Sequence, residues 1–413
     1  MDRIAGGVGG GLLAVFNLLR RLASEEDVPV FLVGGPVRDS VLDVPPHDLD
    51  FVLVGDAPVL ATDVADKLGG RVIAHSRFGT ATVVVEGDHV DIVTARKESY
   101  HFPGYLPETS PSDLADDLAR RDLSINAMAL PLSGVAPNVI DPHGGLQDLA
   151  NGSVSIIHPG SFTDDPTRML RAVRYEQRLG FKIAESTLSD LQRSITEGHI
   201  AAVSGDRWRQ EFQKIFAEDN APQMLVRAMD LGILQGIHPA MTDGRSVTSL
   251  IGQSDVHSSH FLAALASGMS AVGGESVCER LNLPSDWARV VRDTIALQGL
   301  MSAISAPTAK TSEICRSLDG LETEAIEASA RFTSEPLVSE NLRRYLNEWR
   351  NVRPSLSGDD LLAMGVPSGS GIGEILREVH SAILDGLVSN EAEQRALVDE
   401  IISRGNWSPE MAE

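Results

Sequence analysis

The segment from Phe31 to Gly55, FLVGGPVRDSVLDVPPHDLDFVLVG, gathers the side chains best suited to chemistry in this chain. Two carboxylates, Asp48 and Asp50, stand one residue apart at the head of the apolar run Phe51 to Val54. On a strand, alternate side chains point to opposite faces, so Asp48 and Asp50 project together while Leu49 and Phe51 turn into a core. Two acids sharing one site repel unless a cation lies between them, and hard oxygen ligands at a strand end suit Mg²⁺. Two solvated acids on a loop are the plain alternative. The preceding Gly34-Gly35 pair favours a site, because glycine lets backbone approach a ligand closely and the free N–H groups of a following helix can hold phosphate. Arg38, one turn into that helix, adds a fork for phosphate oxygens. Metal carboxylates and a phosphate cradle within 17 residues point to nucleotidyl transfer.

The elements that must position these groups read as strand, Gly-Gly turn, short helix from Pro36, Pro-Pro loop and second strand. Further short apolar runs at Val30 to Val33, Thr82 to Val85 and Val90 to Val93 make the first 150 residues an α/β module with strands and helices alternating. Asp91 lies on the last of these runs and is a candidate third carboxylate near the metals, a strand-end acid being the alternative. After Phe162, apolar residues recur three and four apart, as in Arg168 to Leu179 and Trp208 to Phe216, so the remainder reads as helical. Breaks near Met241 to Ser249 and at Pro354 to Gly358 divide that remainder.

Composition bounds the answer. The 413 residues suffice for two to four domains of about 150 residues each. A content of 42% hydrophobic and 23% charged residues excludes a mainly disordered or fibrous chain. The net charge of −23 argues against a generic polyanion-coating protein, so any nucleic-acid site must be a local basic patch. Cys278 and Cys315 have no ligand-spaced neighbours, which supports neither zinc nor a disulfide framework and fits a reducing cytoplasm. Ile4 to Leu19 reads as an amphipathic first helix and not as a signal peptide, and no stretch reaches the ~18 to 20 apolar residues of a membrane span.

Residues 31 to 55 resemble the signature of the bacterial-type tRNA nucleotidyltransferase and poly(A) polymerase family, in the DNA polymerase β superfamily. Four further segments are similar to the family's later motifs, in order: RRDLSINAMAL (120 to 130), DPHGGLQDL (141 to 149), DDPTRMLRAVRYEQRLGF (164 to 181) and GDRWRQEFQKIF (205 to 216). Asp164-Asp165 stands where Glu-Asp is usual, and Ser124 where Thr is common; neither replaces a charge. The resemblance implies an α+β protein: a nucleotidyltransferase head with a mixed sheet at 1–150, then an all-α neck at 151–240, body at 241–353 and tRNA-binding tail at 354–413. It also implies addition of CCA, or part of it, to tRNA from CTP and ATP, with two Mg²⁺ ions on Asp48 and Asp50. An enzyme adding only A, only CC or poly(A) is the alternative, and a silent RNA-binding protein a more remote one.

The fourth motif spaces Asp165, Arg168, Arg171 and Arg174 by threes, which on a helix sets Asp165 beside Arg168. Cytosine and adenine each offer an amino donor beside a ring-nitrogen acceptor, so a carboxylate next to a guanidinium complements both and rejects guanine and uracil. A surface ion-pair ladder is the bland alternative. Arg171 and Arg174 would brace that pair or meet phosphates. In the second motif, Arg121 beside Asp122 would contact the triphosphate and Asn126 the ribose; a helix cap with a buried polar network is equally consistent. Residues 168 to 214 carry nine Lys and Arg against six acids, and this local excess marks Arg207 and Arg209 as candidate tRNA contacts. The resemblance gives the loop between Tyr100 and Asp113 a role in the switch from C to A addition, although a plain solvent loop fits as well.

Overall fold

The computed structural model describes residues 2–75, 79–134 and 137–404. The chain divides into two compact units, Met1–Ile237 and His238–Glu413, so the expected head and neck lie together in the first and the expected body and tail in the second.

Helices α1 (Asp2–Gly7) and α2 (Gly10–Glu25) lead into β1 (Val30–Val33), α3 (Gly35–Val41), β2 (Asp50–Leu53) and α4 (Ala57–Leu68). Strands β3 (Arg71–His75), β4 (Thr80–Val85) and β5 (Asp88–Thr94) follow, then the hairpin of β6 (Arg96–Ser99) and β7 (Glu108–Pro111), α5 (Leu114–Ala119) and β8 (Ala129–Pro131). Six strands form one sheet in the order β3-β4-β5-β2-β1-β8. It is mixed: β2 and β5 run parallel, and the other neighbours are antiparallel. A parallel pair needs a crossover, which α4, β3 and β4 supply. Helices α2 and α4 pack on the sheet, where Val15, Phe16, Leu19, Ala61 and Val64 are fully buried. Gly11 fits because a Cβ there would stand 2.1 Å from the Val85 carbonyl oxygen.

The expected neck opens after α6 (Gly145–Asn151) on a two-residue parallel pair of β9 (Ser153–Val154) and β10 (Lys182–Ile183). Helices α7 (Ser161–Asp164), α8 (Arg168–Leu179), α9 (Glu185–Thr196), α10 (Gly205–Phe216) and α11 (Ala221–Asp230) build it. On α10, Trp208, Phe212, Ile215 and Phe216 are buried at helical spacing, which turns Arg207, Gln210 and Glu211 towards the cavity described below. Among the described residues, the regular elements of the second unit are all helices. One apolar cluster joins Leu297, Leu318, Leu342 and Trp349, and another joins Leu361, Ile375, Val379 and Val398, on either side of Pro354. Among the described residues, no helix is long and apolar enough to cross a membrane.

Candidate active site

Antiparallel pairing sets the end of β1, with Gly34 and Gly35, beside the start of β2, with Asp50. The parallel neighbour β5 sets Asp91 in register with Asp50. Asp48 lies in the bend just before the strand and is exposed, and half-buried Asp50 stands between buried Leu49 and Phe51. Thr82 of β4 is paired with Asp91, and its Oγ1 donates to Asp91 Oδ1 at 2.6 Å. Burial first, and then the Asp48 carboxylate, push the pKa of Asp50 up to about 6; Arg121 opposes them and Asp91 adds to them. Like charges brought together on a partly buried strand end are what a divalent cation would relieve. Among the described residues no group of three His, Cys, Asp or Glu side chains converges as a preformed metal site. The donor set therefore fits an ion held by one or two carboxylates and completed by water and phosphate oxygens, the manner in which Mg²⁺ is usually bound.

Asp50 opens onto a cavity of about 410 Å³ between head and neck, both parts of the first unit. Gly34, Gly35, Arg121, Asp122, Asn126, Asp165, Arg168, Arg171 and Arg207 all line it. Gly34 has φ +73°, and a Cβ there would stand 3.0 Å from Arg121 Nη1, so the turn both needs glycine and lets the arginine approach. Arg38 is 4% exposed and its fork is not open: Nε donates to Asp39 at 2.9 Å and Nη1 to Asn126 Oδ1 at 2.7 Å, with the guanidinium over the Tyr175 ring. The expected phosphate fork is thus a buried brace. Asn126 is likewise tied between Arg38 and Asp122.

Burial opposes ionisation of Asp122 most strongly, yet the charge and hydrogen bond of Arg171, whose Nε donates at 2.7 Å, bring its pKa down to about 2. Asp122 in turn raises the pKa of Arg171.

The structure corrects the geometry of the fourth motif. Asp165 is not on the helix that carries Arg168; it is extended, at φ −140° and ψ 94°, between α7 and α8. Pro166 is the cause, since a residue preceding proline is disfavoured in the α region. Asp165 Oδ1 accepts from Thr167 N at 3.0 Å and Thr167 Oγ1 at 2.6 Å, and Arg207 Nη2 approaches it at 2.7 Å. Arg168 does not pair with it: Nη1 donates to Ser161 Oγ at 2.7 Å, and Nη2 to the Arg120 carbonyl at 2.8 Å and to Tyr100 Oη at 3.4 Å. These use three of the five guanidinium N–H groups, leaving Nε–H and one Nη1–H. Arg174 does not line the cavity; it is buried behind it, 3.8 Å from Glu211, 3.7 Å from Glu218 and over the Tyr175 ring. Arg207 stands in the cavity wall, whereas Arg209 pairs with Asp206 outside it.

Sequence reasoning missed the support of the second motif. Asp117 on α5 is fully buried and accepts from Arg120 Nε at 2.9 Å, Arg120 Nη2 at 2.7 Å and Arg121 Nη2 at 3.0 Å. Its spacing of three and four from those arginines was the available signal. Glu98 and Tyr100 at the end of β6, and Gln210 and Glu211 of α10, also line the cavity; nothing in their local spacing marks them. The segment after Tyr100 is the turn of a hairpin, and its Gly104 N–H faces the carbonyls of Thr163 and Asp164, each at 3.2 Å.

Residues 30–155 match the model of the poly A polymerase head domain, and residues 180–244 that of a probable RNA and SrmB-binding site of polymerase A. An A-adding tRNA nucleotidyltransferase of Halalkalibacterium halodurans is 32% identical over 408 residues, spanning 92% of this chain and 90% of the relative. One of Geobacter sulfurreducens is 30% identical over 397 residues, covering 91% of this chain, which spans only 45% of that relative's length. A Thermotoga maritima CCA-adding enzyme solved with tRNA superposes with a TM-score of 0.79 at 28% identity, covering 97% of this chain and 98% of that one. Head motifs, mixed sheet, helical neck and near full-length similarity agree, and the chain belongs to the tRNA nucleotidyltransferase and poly(A) polymerase family.

Proposed function

We propose that this protein extends the 3′ end of tRNA from CTP and ATP, without a nucleic-acid template, to build the CCA end. The observation that supports this most is the single cavity joining Asp50 and Arg121 of the head to Asp165, Arg168 and Arg171 of the neck. A nucleoside triphosphate laid across it would have its α-phosphate near the carboxylates and its base against the neck. Arg121 and Arg171 face the phosphate path, and Asn126 is held for the ribose. Asp165 accepts the exocyclic amino group of cytosine or adenine, and the free N–H groups of Arg168 donate to the adjacent ring nitrogen. Guanine and uracil present the reverse pattern and would leave buried polar groups unpaired.

Asp48 and Asp50 would hold Mg²⁺, with Asp91 beside them. Bound there, the metal supplies Lewis-acid stabilisation of the attacking 3′-oxygen and the departing pyrophosphate. The cavity wall carries five arginines against five carboxylates, so it has no excess of positive charge to attract a triphosphate unaided. The chain itself positions the nucleotide and excludes the wrong bases.

The tail and the second unit would grip the tRNA. Arg350, Arg353 and Arg377 line a cavity of about 420 Å³ there. None of the three forms an ion pair among the described residues. A second reading, addition of A alone, is favoured by the A-adding relative that this chain matches over 90% of its length. Incubation with tRNA lacking CCA, tRNA ending in C and tRNA ending in CC, each with labelled CTP or ATP, separates the readings. Extension of all three supports CCA addition, and extension of the CC end alone supports A addition.

A further inference from the structure

We propose that Arg207 is a positioning residue for base selection, one that fixes which oxygen of Asp165 faces the incoming base. The inference rests on the proposed nucleotide-adding function and concerns the same cavity. The guanidinium of Arg207 is split between two acceptors. Nη1 donates to the Gly104 carbonyl at the turn of the β6–β7 hairpin, at 2.8 Å, and Nη2 meets Asp165 Oδ1 at 2.7 Å. Thr167 adds two hydrogen bonds to that same Oδ1, from N at 3.0 Å and from Oγ1 at 2.6 Å. Oδ1 therefore carries two hydrogen bonds and the ion-pair contact of Arg207, while Oδ2 accepts no hydrogen bond among the described residues and is left for a ligand.

A carboxylate on a freely rotating bond presents either oxygen and can turn towards a donor on a wrong base. Held from one side by Thr167 and Arg207, it presents one acceptor in one direction, and a single acceptor beside a donor is what separates the edges of cytosine and adenine from those of guanine and uracil. The split matters because a guanidinium is a rigid planar fork. Because the fork is planar and rigid, the contact of Nη1 with the hairpin carbonyl and that of Nη2 with Asp165 Oδ1 hold each other in place. Arg207 is 19% exposed and turns Nη1 and Nη2 inward to these two contacts, which sets it apart from an arginine reaching out to an RNA phosphate.

Nucleotide competition, with CTP and ATP against UTP and GTP on tRNA primers, tests this in the full-length wild type, Arg207→Ala and Arg207→Lys, with KM for tRNA and thermal melts recorded in parallel. Arg207→Ala is expected to lose discrimination by roughly ten- to a hundredfold, the effect of one charge-assisted hydrogen bond, with the KM for tRNA unchanged. Arg207→Lys keeps the charge but cannot bridge both acceptors, so it is expected to recover discrimination only in part. If Arg207→Ala does not fold, the lysine variant carries the test alone. Intact discrimination with a raised KM for tRNA would overturn the proposal in favour of a phosphate contact, and so would an equal loss of rate for all four nucleotides. Full recovery by lysine would also overturn it, since charge alone would then suffice. A wild-type protein that extends no tRNA at all would instead refute the nucleotide-adding function.

Discussion

Asp50 is held where its own charge is disfavoured, by burial and by the carboxylates of Asp48 and Asp91. Groups kept at such a cost on a strand end contribute little to packing, so Asp48→Ala or Asp50→Ala should abolish nucleotide addition. The melting temperature of either metal-free variant should equal or exceed that of the wild type, because a like-charge contact is removed. Melts and single-turnover assays on the same preparations check both halves. Asp122 behaves in the opposite sense. Its folded pKa, about 2, lies below the unfolded value near 3.9, so its ionised form stabilises the fold above the unfolded value, and that contribution is lost as pH falls through about 2. The shift is worth roughly 2 to 3 kcal/mol at most, and less after allowance for Arg171, which keeps 29% of its side chain in water. Urea melts from pH 5 to pH 2 should therefore fall more steeply for the wild type than for Asp122→Asn. Equal slopes would show that the Asp122–Arg171 pair does not hold head to neck.

The turn between β1 and α3 does its positioning with glycine. Gly34→Ala would force a Cβ into a left-handed backbone, 3.0 Å from Arg121 Nη1. It should cost about 1 kcal/mol or more in stability and raise the KM for CTP and ATP by displacing Arg121, with the KM for tRNA unchanged. The strands around this turn were legible in the sequence because Val30 to Val33 and Phe51 to Leu53 are unbroken apolar runs rich in valine and phenylalanine. The carboxylate at Asp50 was legible because it stands between two apolar residues, Leu49 and Phe51, at the head of an apolar run. Asp165 was misplaced because a spacing of three was extended across Pro166, although proline's effect on the residue before it was readable in the sequence. Arg38 and Arg174 are another matter. Asn126, which Arg38 meets besides its neighbour Asp39, is 88 residues away and Glu211, which Arg174 meets, is 37 away, and local spacing cannot reveal such tertiary contacts.

For the molecule as a whole, a net charge of −23 and the fate of the neck arginines bear on how RNA is held. Seven of the nine basic residues between 168 and 214 are already paired with carboxylates, some of them outside that window, so the formal local excess is largely spent. Binding of tRNA should then show a shallow slope of log affinity against log salt, equivalent to a few phosphate contacts at roughly 0.7 to 0.9 per contact. Arg207→Ala should leave that slope unchanged, whereas neutralising Arg350, Arg353 and Arg377 together should reduce it; filter binding across a salt series reads both. The proposed base reader and the proposed metal carboxylates lie in one compact unit, residues 1–237, which on the proposed function would be the nucleotide-adding centre. Transfer of label from ATP to a tRNA ending in CC, by the wild type and by Asp50→Asn with Mg²⁺ present, tests that most directly. One A should be added by the wild type, none by the variant, and none from UTP or GTP. No incorporation by the wild type, or incorporation that survives in Asp50→Asn, would contradict it.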